Sequence, residues 1–333
     1  MSVLHLRTDR RLQRENIRRI LIAGCGLFGD AILSAHALHS LRHYFPKAVF
    51  HLVAPQYVWG IYKEILSFEK FLPWNKKENC RTVREIRETA YDLAFILRGG
   101  FTHALAARMA RIPHRLGFSS DHRAFLLTGH VRDSRRIPNY QNFLNLLKTF
   151  PLEIPEKYFR FPYTRYPARE PYFSIGPCAS ELTKTWDLRS FIAVVKEVVR
   201  RTGWLPVYLG QKSEWAYNEV LRLATGGENL SGELSLPELF SRLGTGNFFL
   251  GNNSGLAHLA GVLGTPAFVV SGPSDPVFTK PFGERVHMIY KEAKGIPLHR
   301  RGEKKFRRKL PMSAVAAADV LDELARSGLI PGQ

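Results

Sequence analysis

The stretch ILIAGCGLFGDAILSAHALHSL, residues 20–41, decides how the first half of the chain folds. An apolar run ends at Ala23, and Gly24, Gly26 and Gly29 follow in the spacing G-x-G-x-x-G. Leu33, Ala37, Leu41 and Phe45 then recur at helical intervals. Strand, glycine turn and helix open a Rossmann-type unit, whose turn commonly holds a dinucleotide. Two features argue against one here. The next strand, within AVFHLVAPQ (48–56), offers no Asp or Glu for a ribose, and His51 is its only basic residue. Asp30 also stands directly after Gly29, where a carboxylate occupies the positive end of the helix and repels phosphate. The turn is expected to present a carboxylate to a ligand. The plainer alternative is that Asp30 caps its helix.

Outward from this stretch, strand-like and helix-like segments alternate. Buried-strand candidates fall at 19–24, 48–54, 92–97, 172–176, 205–210, 247–251, 266–272 and 286–290. Their near-continuous apolar character suits parallel strands covered on both faces. Helical periodicity occupies 30–45, 187–202 (with Asp187 as cap and Gly203 as stop), 254–263 and 312–327. The fold class is α/β, doubly wound. At 333 residues the chain exceeds one core, so two domains are expected. Residues 151–171 hold five prolines and no helical period, which marks a linker. The domains then run 1–160 and 161–333, the helix at 312–327 being free to pack back toward the first domain. The strand C-terminal ends of the two domains are expected to face each other across a cleft.

Composition narrows the partners. Lys and Arg number 48 against 29 Asp and Glu, a formal charge of +19. That balance suits a polyanion: nucleic acid, an anionic membrane or a phosphorylated substrate. The charge clusters in RTDRRLQRENIRR near the N-terminus and HRRGEKKFRRK at 299–309, neither with the spaced aromatics of a base-stacking surface. No helix-turn-helix, zinc or aromatic RNA-binding signature occurs. The three cysteines have no metal-ligand spacing, which points to a reducing compartment. No apolar run approaches the ~20 residues of a membrane span.

The second half carries its own glycine turn. In GNNSGLAH (251–258), Ser254 and Gly255 open a helix with no acidic residue at its start, so its free N–H groups suit a diphosphate. His258 lies one turn on, along the same face. A Ser cap and a core histidine are the plainer alternatives. SGPSDP (271–276) makes another small polar turn. Upstream, GPCASELTKTW (176–186) sets Ser180 and Lys184 on a loop after a strand, and Glu214 follows the turn at Gly210. Lys184 could neutralise a leaving phosphate and Glu214 could reach a ribose or base, or both could be ordinary surface residues.

These pieces together resemble the lipopolysaccharide core heptosyltransferases, the ADP-heptose transferases of glycosyltransferase family nine. The resembling motifs, in order, are GLFGDAIL, RIPHRLGFSSDHRAFLLT (111–128), Lys184–Trp186, Gly210 with Glu214, GNNSGLAH and SGPSDP. The middle segment is nearer to second heptosyltransferases than to first. The resemblance implies a GT-B fold of two Rossmann-like domains, with an N-terminal acceptor domain and a C-terminal nucleotide-sugar domain. It also implies inverting, metal-independent transfer with no cofactor, at the cytoplasmic face of a Gram-negative inner membrane, which the chain would meet peripherally. Asp30 falls on the family's proposed base. Ser180, Lys184, Glu214, Ser254, Gly255 and His258 fall on its nucleotide and phosphate contacts. Gly29, Arg115 and Arg123 are expected at an anionic, lipid-linked oligosaccharide acceptor, whose phosphates Arg115, Arg123 and the RRLQRENIRR block would meet, although the arginines also fit an ordinary solvated surface.

Two departures stand out. Asn253 replaces the family's aspartate against the donor sugar, which keeps hydrogen-bonding shape but loses charge. Donor identity is therefore open, and a GT-B transferase using another nucleotide sugar is the nearest alternative. The family's cysteines near the C-terminus are also missing. Outside the transferases, a NAD(P)-binding oxidoreductase and a basic nucleic-acid-binding protein remain as readings of the glycine turn and of the charge.

Overall fold

The structure, a computed structural model, describes residues 6–75, 79–98, 100–150, 161–166, 170–291 and 311–332. Internal packing divides the chain into two units, Met1–Lys157 and Tyr158–Gln333. The expected boundary at 160 and the basic block at 299–309 lie outside the described residues.

Among the described residues the N-terminal unit holds seven strands: β1 (Leu6–Arg7), β2 (Arg19–Ala23), β3 (Val49–Ala54), β4 (Lys70–Pro73), β5 (Leu93–Ile96), β6 (His114–Phe118) and β7 (Gly129–Val131). Their order is β1-β7-β6-β5-β2-β3-β4, and every pairing is parallel except β1 with β7. Among the described residues four α-helices lie between these strands, α1 (Phe28–Tyr44), α2 (Trp59–Ile65), α3 (Asn79–Thr89) and α4 (Gly100–Met109), and α5 (Asn139–Leu147) follows β7. The central strands β2 and β5 are apolar almost throughout because helices cover both faces. On one face Leu21, Ala23, Ala94 and Ile96 pack with Ile86 of α3 and Ala104 and Ala107 of α4. On the other α1 lies beside α5 and α2. From Ala31 to Leu38 every residue of α1 is buried, so the helix is enclosed rather than half-exposed.

The C-terminal unit is a six-stranded, wholly parallel sheet: β8 (Tyr172–Gly176), β9 (Leu205–Tyr208), β10 (Glu228–Asn229), β11 (Phe249–Asn252), β12 (Ala267–Val270) and β13 (Val286–Ile289), in the order β10-β9-β8-β11-β12-β13. Its helices are α6 (Leu188–Thr202), α7 (Trp215–Thr225), α8 (Leu236–Thr245), α9 (Gly255–Leu263) and α10 (Ala317–Arg326). Asp187 caps α6 by accepting from the Ser190 amide at 2.9 Å, and Gly203 ends it at φ 69°. The final helix starts at Ala317, after a short turn at Met312–Ala314. It packs on α6, where Val320 and Leu324 join Phe191, Val195 and Val198 in this unit's core.

Part of the proline-rich segment is a strap on the same unit. Phe161 is buried against Phe240, its amide donates to the Val262 carbonyl at 3.0 Å, and the Tyr163 hydroxyl donates to the Gly244 carbonyl at 2.6 Å. Among the described residues no helix is long and apolar enough to cross a membrane.

Each sheet has one place where the winding reverses. In the first, β3 and β4 build outward on one side of β2, and the chain returns to lay β5 on the other. In the second, β9 and β10 build outward from β8, and β11 is laid on its far side. Loops leaving the carboxyl ends of two such neighbouring strands diverge and open a crevice, which is where open α/β sheets bind ligands. The reversals put the segments after β2 and β5 together in the first unit, and those after β8 and β11 together in the second.

Candidate functional site

At the first reversal, Gly24 leaves β2 against Tyr62, whose ring and hydroxyl would stand 3.0 Å from any Cβ placed there. The Tyr62 hydroxyl accepts from the Cys25 amide at 2.6 Å and fixes the turn from below. The helix then begins at Phe28, so Gly29 and Asp30 lie in its first turn and Leu27 is the N-cap, with no side-chain capping bond. Asp30 does not cap. Its Oδ1 accepts from the Asn139 Nδ2 at 2.8 Å, and its Oδ2 has no partner among the described residues.

Asn139 is 4% exposed, at the start of α5, and its own Oδ1 accepts from Arg98 Nη2 at 2.5 Å. Arg98 follows β5 and also faces Asp133, 3.6 Å from Nη1 to Oδ2. A guanidinium only donates, so the amide of Asn139 has to turn its oxygen to Arg98 and its NH₂ to Asp30. Burial pushes the Asp30 carboxyl above its ordinary range, while Arg98 and the Asn139 bond pull it back in part. The result is a carboxylate with one oxygen tied and the other open, more basic than one in water. Sequence reading finds Asp30 but misses Arg98 and Asn139. The available signal for Arg98 is a cation set straight after the wholly apolar LAFIL (93–97).

The two arginines expected at the acceptor both donate to backbone carbonyls. Arg115 is half-buried on β6, where Nε donates to the Leu126 carbonyl at 2.8 Å and Nη1 to the Ile112 and Pro113 carbonyls. Arg123 is 2% exposed, with Nε donating to the Phe118 carbonyl at 2.6 Å. Both guanidinium groups bind backbone of the segment 112–126, Arg115 remaining partly exposed and Arg123 buried. The N-terminal block does stay outside: Arg10, Arg11, Arg18 and Arg19 are exposed, and exposed Arg14 lies over the Tyr44 ring.

At the second reversal, Gly251 and Gly176 face each other across β11 and β8, and a Cβ on Gly251 would collide with the Gly176 carbonyl. Asn252, the last residue of β11 and fully buried, joins the two loops. Its Oδ1 accepts from the Trp186 amide at 3.0 Å and its Nδ2 donates to the Pro177 carbonyl at 2.5 Å. Trp186 is fully buried and donates through its indole to the Val315 carbonyl at 2.9 Å. The tryptophan of the K-x-W motif therefore anchors the loop that carries Ser180 and Lys184. Ser180 is exposed on this loop. Lys184 pairs with Glu181 at 2.5 Å on the surface.

Ser254 is the N-cap of α9 but makes no side-chain capping bond, and no acidic residue enters the first turn. The Ser254 hydroxyl and the His258 Nδ1 are both shielded from solvent without a hydrogen-bond partner among the described residues. Burial lowers the His258 pKa to about 4, so the imidazole is neutral near pH 7 and acts as a hydrogen-bonding group rather than a cation. Gly255 supplies the first helical amide. Asn253 donates through Nδ2 to the Thr279 Oγ1 at 2.6 Å, and that hydroxyl gives its single hydrogen to the Asp275 carbonyl at 2.7 Å. This arrangement commits one N–H of the amide to the protein and points Oδ1, its acceptor, elsewhere. Glu214, expected to reach a ribose or base, accepts through Oε2 from the Gln211 amide at 2.7 Å.

Taken separately, the first unit supplies a basic carboxylate, and the second an open helix start, two unspent polar groups and a lysine. Among the described residues no group of three or more His, Cys, Asp or Glu is placed to hold a metal ion. The family model for glycosyltransferase family 9 (heptosyltransferase) matches residues 80–306. The chain belongs to this family. It is 23% identical over 304 residues to lipopolysaccharide heptosyltransferase 2 of Escherichia coli, a match spanning 81% of this chain and 87% of that one. It is 24% identical over 324 residues to lipooligosaccharide heptosyltransferase 2 of Haemophilus ducreyi, spanning 86% and 92%. Among solved structures, E. coli ADP-heptose lipopolysaccharide heptosyltransferase II superposes with a TM-score of 0.74 at 22% identity, over 93% of this chain and 98% of that one. The fold is therefore the two-Rossmann GT-B plan expected of the sequence, and the protein is a glycosyltransferase.

Proposed function

We propose that this family 9 transferase moves a heptose from ADP-heptose to the inner core of lipopolysaccharide, in one inverting, metal-independent displacement at the cytoplasmic face of the inner membrane. The observation that carries the reading is Asp30: uncapped, tied through one oxygen to Asn139, and raised in basicity by burial. The relatives' names supply donor and acceptor class.

Asp30 Oδ2 accepts the proton of the acceptor hydroxyl as that oxygen attacks the anomeric carbon. General-base help of this kind is worth about 10²–10⁴-fold. The bond to ADP breaks as the new glycosidic bond forms, on the opposite face of the sugar, so the configuration inverts. Negative charge then grows on the leaving diphosphate. The open amides of α9 from Gly255, the Ser254 hydroxyl, neutral His258 and Lys184 supply donors and charge for it. Asn253 offers Oδ1 to a hydroxyl of the donor sugar, in the acceptor role an aspartate would play.

Incubating the protein with a heptose-deficient core acceptor and ADP-heptose should add one heptose, read by mass spectrometry, with the new anomer opposite to the donor's by NMR. Activity should survive EDTA. Asn253 makes a different ADP-sugar the second reading, and preferential turnover of an ADP-hexose would select it.

A further inference from the structure

We infer that the outward face of α4, with α3 beside it, is a docking surface for an anionic lipid bilayer. On α4 the buried positions are His103, Ala104, Ala106 and Ala107, which face the sheet. The opposite face carries Phe101, Leu105 and Met109, exposed by 39%, 37% and 58%. They recur at i, i+4 and i+8, a single apolar stripe about 12 Å long at roughly 1.5 Å per residue. Phe125, 69% exposed, extends the stripe at its first end, its ring 6.2 Å from that of Phe101. Water-facing apolar side chains scattered singly are ordinary, but a stripe joined to a neighbouring aromatic is an interaction surface.

Charge identifies what it meets. From Leu93 to Ser120 the sequence contains no Asp or Glu, while Arg108 and Arg111 are exposed within and just after α4. On α3, packed beside α4, Arg81, Arg84 and Arg87 are exposed at three-residue intervals, against two acids, Glu85, which is paired with Lys70, and exposed Glu88. An apolar stripe rimmed by arginines is the pattern of a segment that lies in the headgroup layer of an anionic membrane. The arginines meet lipid phosphate and the apolar side chains enter the acyl boundary. Phe101 lies in the first turn of α4, after the carboxyl end of β5, on the edge of the sheet from which α1 and Asp30 also leave. Docking there brings the base to the layer in which a lipid-linked acceptor resides, and in this respect the inference rests on the proposed acceptor.

The test is sedimentation of the full chain with vesicles of phosphatidylethanolamine and phosphatidylglycerol, against vesicles of phosphatidylcholine alone. The chain should bind the anionic vesicles selectively, and salt should weaken that binding. Leu105→Gln with Met109→Gln should cut binding at least about tenfold, and Arg108→Gln with Arg111→Gln should cut it by about fivefold per charge. All four side chains are exposed, so thermal melting should be unchanged. Unaltered vesicle binding by the Leu105/Met109 variant would overturn the inference. So would a wild-type dimer that this variant converts to monomer without loss of vesicle binding, since the face would then join two copies. Transfer to a water-soluble, deacylated acceptor should be equal in wild type and variant. Absence of that transfer in wild type would refute the proposed function, while the vesicle result would still judge the surface.

Discussion

The helix starts at the two winding reversals, α1 and α9, share a place in the fold and have opposite chemistry. Both follow a small-residue turn at the carboxyl end of a central strand, and neither has a side-chain cap on its N-cap residue. At α1 a carboxylate fills the positive helix end, and a second helix, α5, supplies the amide that holds it. At α9 the first turn has no acidic residue, and Ser254 and His258 leave polar atoms unspent beside it. A helix start that already owns an anion cannot recruit another, whereas an empty one can. Under the proposed function, the same structural device is divided between handling a proton and holding a departing phosphate.

The sharpest way to break this contrast is to remove the anion from α1. Asp30→Ala should reduce kcat by about 10²–10⁴-fold, with ADP affinity by calorimetry unchanged. If the variant turned over at wild-type rate, α1 would not house the base. Asp30→Asn adds a stability readout. Because burial raises the folded-state pKa of Asp30 above its ordinary 3.8, the native state holds its proton more tightly than the unfolded chain. Ionised Asp30 therefore costs stability above that range, and the cost disappears as pH falls below the unfolded pKa. Asp30→Asn should raise Tm at neutral pH, and the gain should vanish in acid.

Next in size is the hold on Asp30. Asn139→Ala removes a bond that favours the carboxylate, and Asn139→Asp places a second acid against it, so both should raise the pKa of the base. The acidic limb of the kcat profile should move to higher pH in each, and further in N139D than in N139A. A uniform fall in kcat with no movement of the limb would reduce Asn139 to packing.

How much of this is legible in the sequence follows from how locally each feature is encoded. The central strands β2, β5, β8 and β11 are visible because burial on both faces makes them nearly continuous apolar runs. Strands β1, β4, β6, β7 and β10 carry no such signal. They are short or charged, as in HRLGF of β6 or the two residues Glu228–Asn229 of β10, and pairing defines them more than composition does. Asp30 is legible from its place in a helix start. Asn139 is not, because it lies 109 residues away and acquires its role only when α5 packs on α1. Asn252 hides beside Asn253, since nothing in GNNSG tells which amide turns inward to tie two loops. Arg115 and Arg123 read as surface cations because sequence gives charge but not the carbonyls that a turn aims at it.

The empty helix start can be tested through His258. Its pKa of about 4 makes it neutral through the range where an ordinary histidine titrates. Once the nucleotide's own protonation is allowed for, ADP affinity should stay flat from about pH 8 down to about pH 5.5, where a histidine at its unperturbed value near 6.5 would gain charge and tighten binding. His258→Ala should weaken ADP by roughly tenfold or less, the scale of one neutral hydrogen bond. Corrected affinity that rises steeply through about pH 6.5 would mean that the imidazole is a cation in the complex.

The smallest effect concerns Lys184, the candidate at this end that is already partnered. Its ammonium rests on Glu181 in a surface pair, and such pairs are worth about 0.2–1 kcal/mol. If the diphosphate draws Lys184 away, binding has to break that pair, so Glu181 competes with the ligand. Glu181→Gln should then strengthen ADP binding by about two- to fivefold, Lys184→Ala should weaken it, and the double variant should match Lys184→Ala alone. Because the groups are exposed, both changes should shrink as salt is added. A Glu181→Gln gain that survives in the Lys184→Ala background would come from general removal of negative charge near the loop, and would take the lysine out of the phosphate site.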